Sequence, residues 1–124
     1  MSRVLCDGET ATLSWMNSLF GLRVTEVYEA RRGRLVQTKV AFSLPGGGPP
    51  PSVTPQDVDD LYHTGGPFAA EGLSRPVEKV IFRVGEIGNP TFTIGERTVD
   101  FTAEVGFGGT VILDARAAPI SEKR

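Results

Sequence analysis

Between Val77 and Ala115 the chain is written as short runs in which every second residue is apolar, with Gly, Pro and Asn between them. The runs are Val77–Val84, Thr91–Ile94, Thr98–Val105 and Thr110–Ala115. Their apolar positions are Val80, Phe82 and Val84, then Phe92 and Ile94, then Val99, Phe101, Ala103 and Val105, then Val111, Leu113 and Ala115. A period of two sends side chains alternately to a core and to solvent, which is how a half-buried antiparallel strand is written. The stretch therefore dictates a sheet while offering almost no reactive groups.

A chain of 124 residues suggests a single domain, 1–124, able to bury a real core without disulfides or metals. Its ordered part is expected over about 8–116. Thirteen basic and fifteen acidic residues leave a formal charge of −2, so the balance gives no reason to expect nucleic acid. The single cysteine, Cys6, excludes an intrachain disulfide and a cysteine-based metal cluster. No window approaches the ~18 apolar residues of a membrane helix. The N-terminus lacks the apolar stretch of a signal peptide, so the chain reads either as cytosolic or as one whose leader has been removed.

Gly21–Leu44 predicts a β-hairpin, broken at Arg31-Arg32-Gly33-Arg34, where the glycine suits a turn needing positive φ. Leu22, Val24, Glu26 and Tyr28 share one face of its first strand. Val36, Val40, Phe42 and Leu44 share one face of the second, with Thr38 among them. Thr10–Trp15 reads as a further strand on its Thr and Trp content, although Leu13, Met16, Leu19 and Phe20 would also line one side of a helix. Segment 45–55, rich in Pro and Gly, is expected to be a flexible loop. Thr54-Pro55-Gln56-Asp57 then predicts the start of a short helix near 55–62. Phe68–Arg75 is expected to be a connector and 117–124 a fraying tail. The fold class expected is all-β: one antiparallel barrel or sandwich of about six to eight strands with one short helix.

Glu26 is the most informative single residue, because alternation places a carboxylate on the face that meets the core. Such a group must be paired, hydrogen-bonded or protonated. It reads as a polar anchor of a ligand or ion site or, more plainly, as a structural carboxylate. Gly46-Gly47-Gly48 would let backbone approach a ligand, but no phosphate-binding fingerprint follows them. Asp57, Asp59 and Asp60 do not have calcium-loop spacing and complement a helix dipole instead. His63 is the only histidine, and Ser14, Ser18 and Ser74 have no nucleophile-elbow context. Arg31, Arg32 and Arg34 at the hairpin tip read as a solvated turn. No constellation of residues points to catalysis, a metal or a cofactor.

Three segments, in this order, resemble a domain-of-unknown-function family of bacterial and archaeal proteins whose genes neighbour those of TRAP-TAXI transporter fused permeases. They are Leu13-Ser14-Trp15-Met16-Asn17-Ser18 with Glu26 and Tyr28, then Gly33-Arg34-Leu35-Val36 leading to Phe42-Ser43-Leu44-Pro45-Gly46-Gly47-Gly48-Pro49-Pro50, and then Phe82–Pro90 with Gly95 and Val99-Asp100-Phe101. Asn17 stands where that family usually has histidine, and Pro49 where an apolar residue is expected. The family's usual N-terminal leader or anchor is not seen here. The resemblance implies a non-catalytic accessory domain working with a TRAP-TAXI-type transporter on the extracytoplasmic membrane face, its partner a permease or a small ligand. The surface to test is then Asn17, Ser18, Glu26, Tyr28, Gly46 and Gly48. The alternative is a freestanding small-ligand-binding β-barrel with a pocket under the Pro/Gly loop; an uncharacterised hydrolase ranks third.

Overall fold

In the computed structural model, which describes residues 1–17, 21–58, 66–85 and 89–116, the period-two runs become strands of two stacked sheets. The strands are β1 (Ser2–Cys6), β2 (Thr10–Asn17), β3 (Leu22–Arg31), β4 (Arg34–Ser43), β5 (Phe68–Val77), β6 (Val80–Arg83), β7 (Thr91–Ile94), β8 (Arg97–Asp100) and β9 (Thr110–Arg116). A 3-10 turn spans Pro55–Asp57, and a one-turn helix, α1, spans Phe101–Val105. One sheet has the order β5-β4-β3-β2-β7-β8, the other β1-β9-β6. The all-β expectation holds. The two sheets form a sandwich rather than a closed barrel, since each keeps two edge strands.

Alternation on the inner faces builds two adjoining apolar clusters. The first joins Leu5, Val111 and Leu113 of the small sheet to Ala11, Leu13, Tyr28, Ala30, Leu35 and Phe92 of the large one. Phe101 seals it, edge-on to Phe82 and Phe92 at ring-centroid distances of 5.5 and 4.7 Å. The second packs Leu22, Val24, Val40, Phe42, Phe68, Ala70 and Leu73 under Val58 and Val53, with Phe42 stacked on Phe68 at 5.0 Å. Trp15 borders both. Burial of this apolar surface is the main favourable term in the fold.

The hairpin forms where expected. Its two-residue turn has positive φ at both Arg32 (52°) and Gly33 (77°), the turn geometry that follows the right-handed twist of the strands. Asp7 accepts a hydrogen bond from the Gly33 amide at 2.8 Å, tying the hairpin tip to the β1–β2 turn. Arg31 is paired with Glu29 and also donates to the Ser74 hydroxyl.

The structure departs from the sequence reading at five places. Thr38 is an extra residue in β4, because Val27 pairs with Lys39 but Tyr28 with Gln37. This bulge inverts the face ahead of it, so Leu35 and Gln37 are buried instead of Val36, while Leu44 lies exposed just past the end of β4. The strand expected over Thr98–Val105 stops at Asp100, whose carboxylate caps α1 by accepting from Ala103 N at 3.3 Å. Phe101 and Val105 stand four apart, a spacing that fits a helix face as well as a strand. The expected connector is strand β5, burying Phe68, Ala70 and Leu73; its Ala-Ala-Glu-Gly stretch has poor strand propensity. Residues 2–6 form β1, and its pairing with β9 is parallel, so the sheets are not wholly antiparallel, and nine strands lie among the described residues.

Finally, the Pro/Gly-rich segment is irregular, but its second half is held to the edge of β5. Val53 N donates to Ala69 O and Ala69 N to Pro51 O, both at 2.9 Å. Thr54 precedes the 3-10 turn as expected, yet its hydroxyl donates to the Asp57 carboxylate at 2.8 Å instead of capping backbone. Asp59, Asp60, His63, Ser18 and the expected tail 117–124 lie outside the described residues.

Candidate functional site

Glu26 lies where the two apolar clusters meet. It pairs with Leu13 of the first cluster on one side and Val40 of the second on the other. Its half-buried carboxylate receives Gln37 Nε2 at Oε1 (3.1 Å) and Trp15 Nε1 at Oε2 (3.3 Å). Gln37 is only 5% exposed and reaches Glu26 because the Thr38 bulge turns it inward. The Trp15 indole also packs edge-on against Phe82, 5.8 Å between ring centroids. Three strands thus converge on one carboxylate with hydrogen bonds, as burial of a polar group demands. Sequence reading missed Gln37 and Trp15 as its partners. A buried glutamine has no signature of its own, since the residue type is mostly exposed.

The expected site residues divide between places. Asn17 ends β2 opposite Leu22, one row beyond the Met16–Arg23–Ser43 row from which the chain enters the Leu44–Gly48 loop. Asn17, Gly46 and Gly48 therefore gather at one end of the large sheet, Asn17 half-buried and both glycines exposed. Glu26 lies four residues along β3 from that end, roughly 13 Å away at the usual strand rise. Tyr28 is further still and buried in the first cluster. Within the loop, Gly47 N donates to Leu44 O at 2.9 Å, and Gly46 has φ 74°, so Pro45-Gly46 is a tight turn in which glycine is required by conformation. A Cβ on Gly48 would meet nothing within 4 Å.

A separate cleft of about 490 Å³ opens between edge strands β1 and β8 and is lined by Arg3, Val4, Leu5, Glu9, Ile94, Arg97, Thr98, Val99 and Glu104. It is not under the Pro/Gly loop. Ser14 accepts from Arg23 Nη1 at 2.9 Å, and Ser74 from Arg31 Nη1 at 3.3 Å. Among the described residues no group of three or more His, Cys, Asp or Glu gathers as a metal site. Among the same residues no helix is long and apolar enough to cross a membrane.

No curated protein and no solved structure matches the chain. A family model, that of a domain of unknown function (DUF1850), matches residues 11–101, from the second residue of β2 to the first of α1. That span holds Trp15, Glu26, Gln37, the Leu44–Gly48 loop and all of the large sheet but Thr10, and by it the chain belongs to the DUF1850 family.

Proposed function

We propose that this protein is a non-catalytic binding domain that works beside a TRAP-TAXI-type solute transporter at the outer face of the membrane. One observation supports the reading above others: Asn17 and the Leu44–Gly48 loop come together at one end of a sheet held rigid by the Glu26 network. There Leu44 is 55% exposed beside a conformationally fixed Pro-Gly turn. An apolar side chain presented by a rigid turn, with polar groups around it, has the make-up of a small protein-docking surface. In this reading Glu26 buttresses the surface from within and does not touch the partner.

The test is affinity capture from detergent-solubilised membranes of the native host on the immobilised protein. A TRAP-TAXI permease is expected among the integral proteins retained, and Leu44→Asp is expected to lower its recovery at least five-fold with an unchanged circular dichroism spectrum. Recovery without a permease, or undiminished by Leu44→Asp, rejects the reading. A second reading, a freestanding small-ligand-binding domain, is favoured by the open cleft between β1 and β8.

A further inference from the structure

The cleft between β1 and β8 is built from the two sheets' inner faces at their common open edge. Arg3 lies on the same side of β1 as buried Leu5 and pairs with buried Leu113. Arg97 lies on the same side of β8 as Val99, and continues the row Tyr28–Ala11–Ile94 across the large sheet. Both arginines thus emerge from core-facing positions, one from each sheet, over an apolar floor of Leu5, Ile94 and Val99.

An inward-pointing charge on one edge strand is a common guard against aggregation. Two arginines lining one opening, one from each sheet, go beyond that need. The ion pairs of the described residues join Arg31 to Glu29 and Lys39 to Glu71, leaving Arg3 and Arg97 without a carboxylate partner. The two acidic groups of the lining are placed otherwise. Glu9 is turned back into its own turn, its Oε1 accepting from Cys6 N at 2.8 Å. Glu104 stands exposed on α1 at the rim.

We propose that this cleft binds an organic monocarboxylate with an aliphatic body. The carboxylate lies between Arg3 and Arg97, whose planar forks suit it, and the hydrocarbon covers Leu5, Ile94 and Val99. The two carboxylates of the lining balance the two guanidinium groups in formal charge and so disfavour polyanions such as nucleotides. The volume, about 490 Å³, is that of a small-molecule site. The proposal rests on the binding reading but needs no permease.

Octanoate is the probe, titrated into the isolated, isotope-labelled protein and followed by amide chemical shifts, with octylammonium as the charge-reversed control. Saturable shifts are expected at residues 3–5, 94 and 97–99, and octylammonium is expected not to compete. Arg3→Gln and Arg97→Gln should each weaken binding at least five-fold, and the pair at least twenty-fold, with the thermal midpoint unchanged because both side chains are exposed. Non-saturating shifts, equal binding of octylammonium, shifts centred elsewhere, or a double variant that binds like the parent would each overturn the proposal. The shift map and the octylammonium comparison need no variant, and none of these outcomes bears on the permease capture.

Discussion

At the scale of single residues, the Glu26 carboxylate decides how the inner face of the large sheet tolerates polarity. Its replacement by alanine leaves the Gln37 amide, only 5% exposed, without that acceptor. A hydrogen bond to a charged group contributes about 1.5–3 kcal/mol, so Glu26→Ala is expected to lower unfolding stability by about that amount in a urea titration. Trp15 is the only tryptophan and gives Glu26 its indole N–H, so the same variant should shift the native fluorescence maximum. An unchanged maximum together with unchanged stability would remove Glu26 from the scaffold. Strand alternation made the position of this carboxylate legible in the sequence. Its partners were not legible, because Gln37 comes inward only through a bulge that no residue type announces.

Elements were legible where one period ruled and illegible where two periods shared the same residues. The first hairpin strand kept its predicted face because Leu22, Val24 and Tyr28 leave no other choice. In β4, Leu35, Val36 and Val40 allow either face until Thr38 is counted as an extra residue. The bulge carries its own test: Leu35 is fully buried and Val36 half-buried. Leu35→Ala is expected to cost about 2–5 kcal/mol and Val36→Ala well under half as much, measured by chemical denaturation. The reverse order would restore the unbulged strand that alternation alone suggests. α1 escaped detection for a related reason, since Phe101 and Val105 satisfy both periods and only the Asp100 cap separates them. The candidate site was half legible: glycine and proline marked the Leu44–Gly48 turn, whereas the β1–β8 cleft joins parts of the chain that no local pattern links.

For the molecule as a whole, the two sheets differ in how far apart in sequence their strands lie. Within the large sheet every pairing but β2–β7 joins strands adjacent in sequence: β2–β3, β3–β4, β4–β5 and β7–β8. The small sheet instead joins the first strand to the last. Native-state hydrogen exchange is expected to show slowest exchange in β3 and the inner residues of β4, with β1 and β6 opening at lower free energy as edge strands. Protection of β1 equal to that of β3 would contradict this order. The pairing also bears on synthesis. The Met1 amino group donates to Thr110 O across 109 positions of chain, so on a ribosome β1 emerges well ahead of β9 and waits for it. At ~5–20 residues per second that wait is roughly 5 to 20 s, during which Leu13 and Tyr28 of the early hairpin strands have neither β9 nor Phe92 to cover them. The nascent chain is then most exposed to chaperones and to its own neighbours on the polysome, and it stays so until β9 is in place.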